Sequence, residues 1–312
     1  MERLDSGSAV PPHLRGAIVA LGNFDGFHLG HQAVAGRAID WARSEGRPAI
    51  IATFDPHPVR HFFPDLPPFR LTTLEQRQRL FIAAGADAML VFHFDDRLAG
   101  TTAEAFVRAL IEDYGAAAVV TGMDFTFGKG RSGNIDLLMR EGAKLGLRTE
   151  SVAPVALDGE IVSSSRIRDA LQAGDCDEAA RLMTRPFAVE GVVQHGDKVG
   201  SDIGYPTANI DMGKYLRPAY GVYAVRGRLP DGRVLDGVAN LGIRPMFQPP
   251  KELLEPYFFD FGENLYGQMV EIEFIHFLRP EATFASMEDL TAQIARDCDD
   301  ARRILAATPR LP

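Results

Sequence analysis

In the first half of the chain, short apolar runs alternate with segments in which apolar residues recur every three or four positions. The runs predict buried strands, and the periodic segments predict helices with one apolar face. Strands are expected at residues 17–21, 49–54, 88–92, 117–120 and 148–155. Helices are expected at about residues 31–45, 74–84, 102–114 and 134–145. This alternation is typical of a parallel sheet wrapped by helices, the α/β class.

After about residue 187 the pattern changes. Apolar and polar residues alternate along residues 270–274, which predicts a strand with one solvent-exposed face. Residues 220–228 are strand-like and lead to a Pro-Asp-Gly turn at 230–232. An amphipathic helix is expected after Ser286, a residue suited to cap it. The second half therefore predicts an antiparallel sheet or small barrel followed by one helix.

Composition narrows the class of protein. The chain has 312 residues, 46% of them apolar and 24% charged, which is ordinary for a globular protein. This length predicts two domains, with a boundary between residues 185 and 186. The net charge of −9 argues against a protein that coats nucleic acid. The two cysteines, Cys176 and Cys298, offer neither a disulfide framework nor a zinc site, and both are expected to be structural.

The chain carries no sequence signal for secretion or membrane insertion. Its first residues lack the apolar segment of a signal peptide, and no apolar run approaches the roughly 18 residues that cross a membrane. A cytoplasmic protein without membrane contact is therefore expected. The possibility of a homo-oligomer is left open.

The strongest local motif is GNFDGFHLGH at residues 22–31, where the first predicted strand leads into the first predicted helix. At such junctions helix N–H groups bind phosphates. Gly22, Gly26 and Gly30 allow close approach of the backbone to a ligand. His28 and His31 share one side of a helical turn, so their rings could hydrogen-bond the oxygens of a reacting phosphate. A capping or surface role is the simpler hypothesis for a single histidine, but this pair forms the HxGH signature of adenylyl and cytidylyl transferases.

A second segment supports phosphate binding. Residues 161–168, IVSSSRIR, open a predicted helix with three hydroxyls and two guanidinium groups. Hydroxyls cap helices, and Arg binds phosphate oxygens. The segment resembles the ISSTxIR motif of the same superfamily, with Ser165 at the usual threonine position. A serine-rich helix start is common, so this segment alone is weaker than the HxGH motif.

The second half contains oxygen ligands and a candidate base. Thr207 and Asn209 stand two residues apart in GYPTANI, so in an extended segment both point the same way. Their side-chain oxygens suit Mg²⁺ that arrives with nucleotide phosphates, although such a segment alone is usually a turn. Glu255 stands in an apolar stretch, where desolvation would raise its pKa and favour a general base. An exposed strand residue is the alternative.

Seven segments, in order, resemble one family: residues 22–31, 53–58, 122–128, 162–168, 204–209, 240–245 and 255–261. The resemblance is to the bifunctional riboflavin kinase/FAD synthetase of bacteria, from about residue 16 to residue 305. It implies a Rossmann-like HxGH nucleotidyltransferase domain that adenylylates FMN, followed by a six-stranded antiparallel β-barrel with a terminal helix that phosphorylates riboflavin. The implied ligands are riboflavin, FMN, FAD and ATP, with Mg²⁺ as the metal.

The resemblance also implies site residues. His28 and His31 would bind ATP phosphates and stabilise the transition state of adenylyl transfer. Further contacts to ATP are implied for Gly22, Phe24, Gly26, Gly30, Ser164, Ser165, Arg168, Gly204 and Pro206. Flavin contacts are implied for Asp124, Phe125 and Asn240. Thr207 and Asn209 would ligate the metal, and Glu255 would take the proton from the riboflavin 5′-hydroxyl.

Some positions depart from the family pattern. Ser201 stands where Arg is common, Met246 where Thr is common, and Pro256 and Tyr257 follow Glu255. These departures bear on the kinase activity of the second half, so an FMN adenylyltransferase whose barrel is a weak or inactive kinase is an alternative. A flavin-binding regulatory protein, or a transferase acting on another phosphate, are others. His57 could contact ligand or cap a loop.

Overall fold

The computed structural model describes residues 1–195, 204–244 and 251–310, in two compact units. The first unit comprises Met1–Pro67 and Thr72–Ser163. The second comprises Pro68–Leu71 and the described residues from Ser164 onward. The functional boundary between residues 185 and 186 stays a prediction. No helix in the described part of the chain is both long and apolar enough to cross a membrane.

Among the described residues, the first unit contains a six-stranded parallel sheet in the order β1-β4-β3-β2-β5-β6. Its strands are β1 (Glu2–Asp5), β2 (Ala17–Leu21), β3 (Ala49–Asp55), β4 (Ala88–His93), β5 (Ala116–Gly122) and β6 (Arg148–Val152). Its helices are α1 (Leu29–Glu45), α2 (Pro58–Phe62), α3 (Leu74–Ala84), α4 (Asp96–Ala99), α5 (Ala103–Glu112) and α6 (Ile135–Lys144). A small hairpin, β7 (Ala156–Leu157) with β8 (Glu160–Ile161), follows the sheet. The predicted α/β class is confirmed.

Both faces of this sheet are buried, which explains the continuous apolar runs. Every residue of β2 is buried. Its alternate residues enter two different cores, Val19 with Leu110 of α5 on one face and Ile18 with Ala38 of α1 on the other. β1 was not predicted from the sequence, because this edge strand has four residues and only Leu4 is buried.

The second unit begins with α7 (Ser164–Gln172) and α8 (Cys176–Met183). Its strands are β9 (Phe187–Val192), β10 (Ile210–Asp211), β11 (Gly221–Arg228), β12 (Val234–Arg244), β13 (Lys251–Phe258) and β14 (Met269–Pro280). Within the described residues these six strands pair antiparallel in the order β10-β13-β12-β11-β14-β9. A bridge between Gln194 and Asn209 links the chain beyond β9 to the start of β10, so the barrel is nearly closed. The predicted antiparallel barrel is confirmed.

The terminal helix α9 (Met287–Ala307) covers one face of this barrel. Its buried Cys298, Ala301 and Leu305 pack on Val222 and Val238, as the predicted core face requires. Two further residues, both arginines of the barrel, hold the helix by polar contacts. The Arg279 guanidinium pairs with Asp297 at 2.7 Å, and the buried Arg226 donates to the Leu305 carbonyl at 2.9 Å. The helix is therefore held at its middle and at its C-terminal end.

Asp297→Asn should destabilise the second unit, because it leaves the Arg279 guanidinium without its carboxylate while keeping the side-chain volume. Asp297 is 4% exposed, so solvent cannot replace the lost partner. The free energy of unfolding should fall by about 2–3 kcal/mol, measured by circular dichroism in urea. Asp300→Asn on the same helix is the matched control, since Asp300 is exposed and should change stability by less than about 0.5 kcal/mol. Equal effects of both variants would show that the Arg279–Asp297 pair contributes no more to stability than the surface pair of Asp300.

Candidate active sites

The HxGH motif lies at the start of α1, at the carboxyl end of β2. His28 is the N-cap residue, and its Nδ1 accepts the His31 backbone N–H at 3.4 Å. The two imidazoles stack with ring centroids 3.6 Å apart, and His28 is 5% exposed. A neutral His28 with Nδ1 as acceptor carries its proton on Nε2. The ring therefore caps the helix through Nδ1 and carries a donor group at Nε2.

The loop before this helix has a constrained backbone. Phe24 and Phe27 have φ values of 50° and 40°, in the left-handed region that residues other than glycine rarely adopt. Both rings are buried and pack edge-on against Phe81 of α3, at 5.7 and 5.1 Å between centroids. This packing offsets the backbone strain and sets the path of the loop.

The glycines of the motif make room for neighbouring rings. A Cβ added at Gly30 would lie 3.2 Å from the His28 ring, and one at Gly22 would lie 3.2 Å from the Phe24 ring. Gly26 adopts φ 85°, the left-handed region. The loop geometry thus depends on these three positions in addition to any contact they make with ligand.

Asp25, to which the sequence analysis assigned no role, ties the loop to a distant segment. Its buried carboxylate accepts the Thr72 backbone N–H at 3.0 Å, and the Gly26 N–H donates to the Thr72 hydroxyl at 3.0 Å. Thr72 precedes Thr73, the N-cap of α3. Since this contact joins residues 47 positions apart, no local pattern could have indicated it.

Aromatic rings gather at the carboxyl ends of β3, β4 and β5. Phe94 contacts Phe54 at 6.1 Å and Phe62 at 5.8 Å between centroids, and Phe62 remains 58% exposed. Phe125 stacks on Phe127 at 5.8 Å. Asp124 beside it is exposed. His57 caps α2 by accepting the Val59 N–H at 3.2 Å, which is the capping role considered for it.

The serine-rich segment opens α7, as predicted. Ser164 is half-buried and Ser165 is exposed. Arg168 donates to the Phe69 carbonyl at 2.8 Å, and its guanidinium lies 5.3 Å from the Phe69 ring centroid. These residues belong to the second unit, whereas the HxGH loop belongs to the first.

In the second unit, the structure brings most of the predicted kinase residues together. Asn240 of β12 lies directly opposite Glu255 of β13, so the two side chains share one face of the sheet. Ala208 donates its N–H to the Pro256 carbonyl at 2.9 Å, which sets the Thr207–Asn209 segment beside Glu255. Ser201 and Met246, the departures from the family pattern, lie outside the described residues.

A cleft of about 460 Å³ opens beside these strands, between α9 and the Gly204 segment. It is lined by Gly204, Tyr205, Tyr257, Thr291, Ala295, Cys298, Asp299 and Arg302. The rings of Tyr205 and Tyr257 meet edge-on at 5.3 Å. Burial raises the pKa of the Cys298 thiol to about 11, which keeps it neutral. Cys298 is buried, as its place on the apolar face of the helix predicts. The cleft could not be predicted from the sequence, because it depends on where the helix docks.

Comparisons with known proteins identify the family of the chain. A family model for FAD synthetase matches residues 10–166, and one for riboflavin kinase matches residues 183–305. A bifunctional riboflavin kinase/FMN adenylyltransferase of Haemophilus influenzae is 38% identical, over 93% of this chain and 94% of its own. The chain belongs to the bifunctional riboflavin kinase/FMN adenylyltransferase family. The resemblance stated from the motifs is thereby confirmed.

Two further known proteins are similar to the chain. The bifunctional riboflavin kinase/FMN adenylyltransferase of Bacillus subtilis is 36% identical, over 92% of each chain. A crystal structure described as a macrolide-efflux protein of Streptococcus pneumoniae has a TM-score of 0.87 and 28% identity, over 97% of this chain and 99% of that chain. As a member of the riboflavin kinase/FMN adenylyltransferase family, the chain is an ATP-dependent transferase of flavin cofactor biosynthesis.

Proposed function

We propose that the two reactions of the family are carried out by the two sets of residues described above. In the first, riboflavin and ATP give FMN and ADP; in the second, FMN and ATP give FAD and pyrophosphate. The observation that supports this division is that each unit holds its own arrangement. The first has stacked histidines at a helix start, and the second has a carboxylate opposite an amide on paired strands.

For adenylyl transfer, a phosphate oxygen of FMN attacks the α-phosphorus of ATP and pyrophosphate leaves. The Nε2–H of His28, His31 and the N–H groups at the start of α1 donate to oxygens that gain charge in the transition state. Gly22, Phe24, Gly26 and Gly30 shape the loop that receives the nucleotide. The resemblance also assigns Ser164, Ser165 and Arg168 to this reaction, and their hydroxyl and guanidinium groups are suitable donors to phosphate oxygens.

For the flavin of this reaction, we assign Asp124 and Phe125, which lie just beyond β5. The exposed Phe62 ring and the neighbouring Phe94 add aromatic surface at the same edge of the sheet. An isoalloxazine ring packs favourably on such rings. In an open parallel sheet, ligands bind outside the carboxyl ends of the strands, which is where these side chains lie.

For phosphorylation, Glu255 takes the proton of the riboflavin 5′-hydroxyl as that oxygen attacks the γ-phosphorus and ADP leaves. Asn240, opposite Glu255, orients the flavin by hydrogen bonds. The cleft at Tyr205 and Tyr257 suits the flavin ring in size and aromatic lining. Gly204 and Pro206 carry the backbone that approaches ATP.

Thr207 and Asn209 fit a magnesium ion, because both offer a neutral oxygen and Mg²⁺ commonly keeps substrate phosphates as ligands. In the described ranges, no group of three or more His, Cys, Asp and Glu side chains is placed to hold a metal by itself. A metal that arrives with ATP needs few protein ligands. When bound, it neutralises charge on the transferred phosphoryl group.

Purified protein with riboflavin, ATP and Mg²⁺ should produce FMN and then FAD, resolved by chromatography. Chelation of the metal with EDTA should reduce both products to background, and added Mg²⁺ should restore them. FAD from FMN but not from riboflavin would favour an adenylyltransferase with an inactive barrel. Tight flavin binding without turnover would favour the regulatory alternative.

A further inference from the structure

Arg77 of α3 is a charged side chain in the interior of the first unit. It is 2% exposed, and Arg is rarely so buried without partners. Its Nη1 donates to the Asn23 carbonyl at 3.1 Å and contacts the Thr53 hydroxyl at 2.8 Å. Its Nη2 lies 4.0 Å from an Asp55 carboxylate oxygen. These partners lie at the carboxyl ends of β2 and β3, where the HxGH loop begins.

The Asn23 carbonyl is held from two sides, since the Thr53 hydroxyl also donates to it, at 2.7 Å. Asn23 directly precedes Phe24, the first left-handed residue of the loop. A shift of this carbonyl would therefore change the path of the backbone toward His28. The contacts of Arg77 act at the point where the loop leaves the sheet.

The Asn23 side chain gives a second reason why the position of this residue matters. Its Oδ1 is buried and has no hydrogen-bond partner within the part of the chain that the structure describes. A buried acceptor without a donor costs free energy that a donor on a bound ligand can recover. Arg77 thus holds the backbone of a residue whose side chain is placed to accept from a ligand.

The charge of Arg77 has its own effect. The guanidinium is always protonated, and at 3% side-chain exposure water screens it weakly. Asp55, at 4.0 Å and 28% exposed, is one carboxylate that faces it. The start of α1 already favours anions through its N–H groups. Positive charge behind the same loop acts in the same direction, and opposes the negative charge of the buried Asp25 carboxylate in that loop.

We propose that Arg77 is a positioning residue for adenylyl transfer. It clamps the Asn23 carbonyl, which sets the loop at residues 22–28 for the phosphates of ATP, and it adds positive potential behind that loop. Arg77 acts through the loop without touching substrate. The proposal rests on the function assigned above to His28 and His31.

Arg77→Met should lower kcat/KM for adenylylation of FMN by about 100-fold, as misplacement of a reacting group does. The KM for ATP should rise as well, because the loop and its potential are both altered. Arg77→Lys keeps the charge but loses the rigid pair of donors. For Arg77→Lys, kcat/KM for adenylylation should fall by about tenfold, with a smaller rise in the KM for ATP. Phosphorylation of riboflavin by the same samples is the internal reference and should not change.

Arg43→Met is the matched control, since the Arg43 side chain is 72% exposed, and it should behave as the unaltered protein. If Arg77 served only the stability of the fold, Arg77→Met would lower turnover in proportion to the folded fraction and leave the KM for ATP unchanged. That result would overturn the proposal, and so would full activity of Arg77→Met. If Arg77→Met does not fold, the same criterion is applied to Arg77→Lys. Unimpaired adenylylation by His28→Asn would instead refute the assigned site, whatever the Arg77 variants do.

Discussion

Glu255→Gln should reduce the formation of FMN from riboflavin by about 1,000-fold and leave the conversion of FMN to FAD unchanged. Gln keeps the size and hydrogen-bonding shape of Glu but cannot take a proton, and loss of a general base costs about 10²–10⁴-fold in rate. Glu255 lies on a strand of the barrel opposite Asn240, so the change does not alter the HxGH loop. Both rates are measured by chromatography of flavins.

Glu263→Gln is the control for this variant. Glu263 lies between β13 and β14, with its side chain 62% exposed, and makes a surface pair with Arg233. It should leave both rates unchanged. A Glu255→Gln protein that phosphorylates riboflavin at the normal rate would show that another group takes the proton.

His28→Asn should have the opposite pattern: about a 1,000-fold loss of FAD formation from FMN, with riboflavin phosphorylation intact. Asn is a favourable N-cap residue, so the start of α1 keeps its acceptor for the His31 N–H. The variant lacks the imidazole Nε2–H, and removal of one donor to a developing charge costs about 10²–10³-fold. It therefore separates the chemical role of His28 from its capping role.

His13→Asn is the matched control, because His13 is exposed and pairs with Glu2 at the surface. It should retain both activities. If His28→Asn instead lost stability and kept its adenylylation rate per folded molecule, the His28 imidazole would serve only to cap α1.

The central strands of the first unit could be predicted because their burial is continuous. β2 to β5 are buried on both faces and appear in the sequence as unbroken apolar runs. α2 and α4 escaped prediction, because helices of five and four residues are too short to show a period. The fold class followed from alternation along the chain, whereas these short elements depend on their caps.

The same limit applies to the sites. His28, Thr207 and Glu255 could be named from short motifs because each motif is local. The contacts of Asp25 with Thr72 and of Arg77 with Asn23 join residues 47 and 54 positions apart, so no local pattern indicates them. The cleft under α9 likewise arises only from the docking of the helix on the barrel.

The central claim is that two independent chemistries reside on two sets of residues, and a mixing experiment tests it most directly. His28→Asn and Glu255→Gln proteins are each incubated with riboflavin, ATP and Mg²⁺, alone and together. Alone, His28→Asn should stop at FMN, and Glu255→Gln should leave riboflavin unchanged; mixed, they should produce FAD through released FMN. A mixture that makes no FAD, or either variant making FAD from riboflavin alone, would contradict the account.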